Sequence, residues 1–291
     1  MMISSKSINI ALIISTLSVS SSSILIRWSE SQPLTIAFYR MALSTLFIFP
    51  YVILTKREEL KRLSSKQIFS SMLVGAFLAA HFSLWITSLS FTSVASSVVL
   101  VASHPFFVAI VSYFFLNEII SKKSQIGIFL SFLGIVILSS SDLMASPTNF
   151  WGDALAFLGG IAAGLYIIGG RKMRQQISLS SYVFIVYGMA SFFLLILSLT
   201  FKSNLYPVPK KDAILFLLMV IFPTYLGHTL YNWCIKYVKA SVVSVTLIGE
   251  PVGASFLAFL LLNETPGILT IFGAFFCLAG IYLVASQEIN L

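Results

Sequence analysis

Five ionisable side chains lie deep inside long apolar runs of this sequence: Arg40, His81, His104, His228 and Glu250. An ionisable group set in hydrocarbon costs about 3 kcal/mol or more, so such residues face a partner or a wet cavity. The chemistry open to them is limited. Glu250 must be protonated, paired with a cation or in water. As a carboxyl it can exchange a proton, and as a carboxylate it can hold a cation or pair with Arg40, whose long side chain can also reach outward. The imidazoles can donate and accept hydrogen bonds. His104 and Glu250 each precede a proline, which leaves a carbonyl of the preceding turn without its donor. At helical spacing Trp85 shares a face with His81, and Tyr231 and Asn232 share one with His228. Tyr166 stands among Gly159, Gly160, Gly164, Gly169 and Gly170, and Ser18 recurs with Ser15 and Ser22, patterns that suit close helix packing as well as a cavity wall. For His104, packing and a cavity role are evenly balanced. The candidate substrate-binding set is therefore Glu250, His104, His81, Trp85, Arg40, His228, Tyr231, Asn232, Tyr166 and Ser18. There is no GxxxxGK phosphate loop, no HExxH and no GxSxG, and the three histidines are too far apart in sequence to suggest a local metal site. No enzyme activity, metal or cofactor is expected, ATP-driven transport within this chain is excluded, and proton exchange at Glu250 is the coupling chemistry on offer.

Positioning these groups falls to an unusual composition. Of 291 residues, 58% are hydrophobic and 10% charged, against about 25% charged in an ordinary soluble domain, too few to clothe a water-soluble body. The 26 Phe, 11 Tyr and 4 Trp exclude disorder. A net charge of +8 does not indicate nucleic acid, because the basic residues lie between apolar runs and form no stripe. Cys234 and Cys277 sit inside apolar runs and suggest neither a disulfide framework nor a metal knuckle. The run after Lys6, Ile8 to Ile26, exceeds the usual signal-peptide core of about 7–15 residues. Arg27 follows it with no small-residue cleavage site, so a retained first helix is expected.

Ten runs are long enough to cross about 30 Å of hydrocarbon: Ile8 to Ile26, Pro33 to Leu54, Ile68 to Leu89, Val94 to Leu116, Gln125 to Ser141, Phe150 to Gly170, Ser180 to Thr200, Ala213 to Cys234, Ser241 to Leu262 and Ile268 to Ser286. They are apolar all round, which excludes a membrane β-barrel. The expected fold class is an all-α membrane protein of ten transmembrane helices. With the N-terminus inside, the cytoplasmic segments carry Lys6, Lys56, Arg57, Lys61, Arg62, Lys66, Lys122, Lys123, Arg171, Lys172, Arg174, Lys236 and Lys239, and the outer links only Arg27, Lys202, Lys210 and Lys211. That bias places both termini in the cytoplasm of a cell (plasma or inner) membrane.

The chain also matches itself. A shift of 146 residues lays His104-Pro105 over Glu250-Pro251 and Leu116-Asn117-Glu118 over Leu262-Asn263-Glu264, with Gly127 on Gly273 and Gly134 on Gly280. Five spans per half is an odd number, so the second half enters the membrane from the opposite side. Residues 1–143 and 150–291 are expected to be two inverted five-helix repeats, an arrangement that can open a shared midplane site to one side and then the other.

The ten runs, the duplicated proline followed by Asn-Glu, and the glycines after each resemble the EamA domain of the drug/metabolite transporter superfamily. The resemblance covers the whole chain and implies a ten-helix carrier with a central cavity and peripheral fifth and tenth helices. Members move amino acids, nucleoside-like metabolites, sugars or xenobiotics, commonly outward, and the Asn-Glu signature implies no catalytic role. The expected function is a secondary transporter, an exporter of a small metabolite such as an amino acid or related compound. The alternatives are an exporter of hydrophobic or cationic xenobiotics and, from another class, an intramembrane enzyme, for which His81 with Arg40 lies too deep to reach headgroups. The expected partners are the substrate and the lipid bilayer, with no nucleic acid and no obligate protein partner. Cysteines placed at Glu58 and Lys172 are expected to escape an impermeant thiol reagent in intact cells, and one at Pro209 to react; the reverse labelling would overturn the orientation.

Overall fold

The computed structural model describes residues 5–104, 107, 121–238, 246–247 and 249–289. Every regular element among them is helical. In chain order these are α1 (Ser5–Ser20), α2 (Ser22–Trp28), α3 (Pro33–Thr55), α4 (Arg57–Arg62), α5 (Ser65–Ser88), α6 (Val94–Val101), α7 (Lys122–Ala145), α8 (Pro147–Arg174), α9 (Leu179–Thr200), α10 (Lys210–Met219), a π-helical segment (Val220–Thr229), α11 (Leu230–Cys234), α12 (Gly249–Leu262) and α13 (Ile268–Ile289). Each of the ten expected runs overlaps a helix. Six stretches are long and apolar enough to cross a membrane: Lys6–Trp28, Pro33–Thr55, Ser65–Ser88, Pro147–Arg174, Leu179–Thr200 and Lys210–Cys234. Pro105, Leu116, Asn117 and Glu118 lie outside the described residues, as does the start of the ninth run at Ser241.

Helix boundaries follow local chemistry. Pro33 and Pro147 occupy first helical turns, where a missing N–H costs nothing. Ser64 and Gln67 form a reciprocal capping box, and the side chains of Ser93, Ser146 and Ser178 cap the helices that follow them. Two runs read as continuous helices are interrupted. The first breaks at Ser21, whose hydroxyl donates to the Ser18 carbonyl at 2.7 Å and competes with the helical ladder. The eighth widens over Val220–Thr229. Pro223 has no N–H to give the Met219 carbonyl four residues earlier, and Thr224 Oγ1 supplies that bond at 2.8 Å.

The helix pairings come in couples related by the 146-residue shift. The first-run helix α1 packs on the π segment and on α12, while α8, its counterpart, packs on α5 and on α6. Helices α7 and α13 pack on each other. A Cβ on Gly134 would overlap the backbone of Gly273 and Cys277, and one on Gly280 would overlap Gly127 and Ser131, which are those same positions shifted by 146. Without hydrophobic discrimination between lipid and side chain, such close backbone approach is a main source of helix affinity.

The links meet in two sets. At one end Tyr39 donates to the Leu205 carbonyl, Ser29 donates to Asp212, and Arg27 pairs with Glu264. At the other, Gln67 bonds Gln176, Gln175 bonds the Lys236 carbonyl, and Glu59 accepts from both the N–H and the hydroxyl of Ser178, at 2.7 and 2.6 Å. Partial burial raises the Glu59 carboxyl, and the bonds from Ser178 outweigh it, so its pKa lies below the ordinary carboxylate value. Its folded-state pKa being the lower, its contribution is present above the unfolded value and is lost as pH falls through the folded one. The stability advantage of the parent protein over Glu59→Gln, read as thermal midpoints in detergent, is expected to shrink as pH is lowered through about 4; a gap that widens with acid would contradict the assignment.

Candidate functional site

Six of the apolar runs converge on one cavity. Its wall is made by Val19 of α1, His81 and Trp85 of α5, Val101, Ala102 and His104 at the end of α6, Ala163, Tyr166 and Ile167 of α8, His228 and Tyr231 of the π segment and α11, and Leu247 and Glu250 at the start of α12. These are the first, third and fourth runs of one half with the first, third and fourth of the other. The cavity measures about 40 Å³, room for a few water molecules. Any larger solute would need the helices to part.

Aromatic rings dominate the wall. His81 stacks on Trp85 with centroids 5.7 Å apart and planes 6° apart. His228 lies 6.3 Å from His81, 6.2 Å from Tyr166 and 5.4 Å from Tyr231, and Phe82 meets it edge-on at 5.3 Å. The His81 Nδ1 lies 3.0 Å from the Gly159 carbonyl, and the His104 Nδ1 lies 3.4 Å from that of Val101. A carbonyl only accepts, so both rings carry the proton on Nδ1 and, when neutral, offer Nε2 as an acceptor. Among the described residues, Trp85 Nε1, His104 Nε2 and His228 Nδ1 are buried without a hydrogen-bond partner. Unmet buried polar atoms are costly, and around a cavity they mark where a solute or water is to be bound. Glu250 is the one acid of the wall and is partly exposed.

Three of the ten candidate residues stand behind the wall. Arg40 is fully buried, donates from Nε to Thr224 Oγ1 at 2.9 Å and from Nη1 to Ser22 Oγ at 3.0 Å, and lies 4.3 Å over the Phe82 ring. It neither reaches outward nor, among the ion pairs of the described residues, pairs with Glu250. The Pro223 distortion offers it Thr224 in place of the carboxylate. Asn232 donates to Tyr166 Oη at 2.6 Å and to the His228 carbonyl at 2.7 Å, so it holds two wall residues from the side. Ser18 contributes its carbonyl to the break at Ser21 and is absent from the wall. Conversely Val19, Val101, Ala102, Ala163, Ile167 and Leu247 line the cavity with no sequence signal, because apolar residues look alike on every face of an apolar helix. Phe82 follows His81 directly but carries no sequence signal of its own, and its contacts to His228 and Arg40 single it out.

The sequence pattern of the EamA-like transporter family matches the chain twice, over residues 6–140 and 150–286. The chain belongs to the EamA-like transporter family. It is 30% identical over 266 residues to an uncharacterized transporter of Archaeoglobus fulgidus, covering 88% of this chain and 90% of the relative. It is 24% identical to a Rickettsia bellii protein named an S-adenosylmethionine uptake transporter, covering 87% and 84% of the two. A solved crystal structure shares the fold with a TM-score of 0.67 at 13% identity, over 99% of both chains. The protein is thus a multi-pass membrane protein of a transporter family.

Arg40 and Glu250 separate in a stability experiment. Thr224→Val removes the acceptor of a buried guanidinium and is expected to cost about 1.5–3 kcal/mol in detergent unfolding. Glu250→Gln leaves every bond of Arg40 in place and is expected to cost clearly less; the reverse ranking would restore the Arg40 to Glu250 ion pair.

Proposed function

We propose that the protein is a secondary transporter that exports a small metabolite, such as an amino acid or related compound, by alternating access of two inverted five-helix halves, residues 1–143 and 150–291. In this reading ten helices cross the cell membrane with both termini cytoplasmic. The observation that carries it is the cavity wall: three runs from each half, related by the 146-residue shift, line one small cavity. The paired contacts of α7 with α13 and the two family matches support the duplicated design. Packing for its own sake gives no reason to gather three unpartnered ring nitrogens and an acid around a void.

Glu250 and the acceptor nitrogen of His104 suit an amine, Trp85 Nε1 suits an oxygen acceptor, and the rings suit an apolar side chain. The aromatic walls and single acid also favour a second reading, export of hydrophobic or cationic xenobiotics. Counterflow in proteoliposomes distinguishes them, with amino acids, S-adenosylmethionine and lipophilic cations each tested as the solute that exchanges with its own labelled form. Exchange of a zwitterionic amino acid is the expected result, and exchange of cations alone would select the second reading. Should Glu250 carry the coupling proton, Glu250→Gln is expected to retain exchange and lose accumulation driven by a pH gradient. Intact gradient-driven transport in that variant would remove Glu250 from coupling.

A further inference from the structure

Leu262-Asn263-Glu264, the motif that ends the ninth apolar run, has no part in the cavity. Its geometry is specific nonetheless. Asn263 adopts a left-handed backbone with φ of 56°, a conformation asparagine tolerates better than most residues, and α12 ends there. The chain turns back, the Glu264 N–H bonds the Ala258 carbonyl at 3.3 Å, and the carboxylate reaches across to the other half. Its Oε2 accepts the N–H of Val94, at the N-terminus of α6, at 2.9 Å, and its Oε1 pairs with Arg27 at the end of α2 at 3.1 Å. Arg27 also donates to the Thr92 carbonyl at 3.0 Å, just past α5. One carboxylate thus ties together, at one end of the bundle, the termini of α2, α6 and α12, which continue or form three of the six cavity-lining runs.

The opposite end repeats part of this. Arg174 ends α8, the counterpart of the first run, and stands 147 residues after Arg27. Its Nε donates to the Asn232 carbonyl at 3.0 Å and its Nη1 to that of Ile177, so it too crosses to the third run of its half. Glu118, 146 residues before Glu264, lies outside the described residues.

We propose that Glu264 with Arg27 is the latch that holds one mouth of the cavity shut. The inference rests on the alternating-access reading above. The side chains of Arg27 and Glu264 are 31% and 27% exposed, and an ion pair this wet shifts an equilibrium by a factor of only about two to five. That is the strength needed by a contact that must break in every cycle, and it is too weak to be the main glue of the fold.

The test uses the full-length protein with Ala102→Cys as a reporter on the cavity wall, the native Cys234 and Cys277 being fully buried. The reporter is labelled with an impermeant maleimide applied to either face of the membrane. Glu264→Gln keeps an oxygen for the Val94 N–H and loses the charge. It is expected to raise labelling from the Arg27 side about two- to fivefold and to lower it from the other side. Arg27→Gln is expected to do the same, and the double variant to do no more than either single one. Unchanged labelling in Glu264→Gln, in a protein with the parental thermal midpoint, would overturn the latch and leave Glu264 a static helix cap. A reporter labelled from both faces in the parent but unmoved by these variants defeats the latch alone, whereas one labelled from neither face in any background defeats alternating access and the latch together.

Discussion

A carbonyl robbed of its donor at membrane depth organises the centre of this protein. Hydrocarbon offers no replacement partner, so every main-chain group freed by a proline must be met from within. Pro223 frees the Met219 carbonyl, Thr224 turns its hydroxyl onto it, and the helix widens to allow this. The same Thr224 oxygen then accepts from Arg40, whose guanidinium also takes Ser22 and lies over Phe82. A substitution-sized event in one helix thereby fixes where a buried charge sits, which ring it covers and which face of the eighth run looks into the cavity.

The same constraint explains the economy of polar groups elsewhere. Ser15 bonds the Gly227 carbonyl, Asn232 bridges Tyr166 and the His228 carbonyl, and Tyr187 bonds Thr229. The bonds of Ser15, of Asn232 to Tyr166 and of Tyr187 cross between helices distant in sequence, while the His228 carbonyl lies only four residues before Asn232. Against that background the unmet nitrogens of Trp85, His104 and His228 stand out, because they gather at a single void. The void that these nitrogens line is small, with room for a few water molecules.

The 146-residue repeat is visible in the packing. The α7 and α13 pair meets through the same glycines on both sides, and the six lining runs are three positions taken twice. Charged contacts at the ends, such as Arg27 with Glu264, are partly wet and so contribute little to holding the bundle together.

The sequence alone determined the class. Ten apolar runs, the segregation of basic residues, the 146-residue self-match and the Asn-Glu pattern were legible because hydrophobicity, charge and spacing are properties of the chain before it folds. The same signals singled out His81, Trp85, His104, Tyr166, His228, Tyr231 and Glu250, all of which reach the cavity. The sequence could not tell that Arg40 would bond Thr224, that Ser18 would serve a helix break, or that Val19 and Ile167 would line the void. Those outcomes depend on the rotation of each helix about its axis. In a helix apolar on every side, hydrophobic periodicity leaves that rotation undetermined, and only interhelical packing and the need to satisfy buried polar groups decide it.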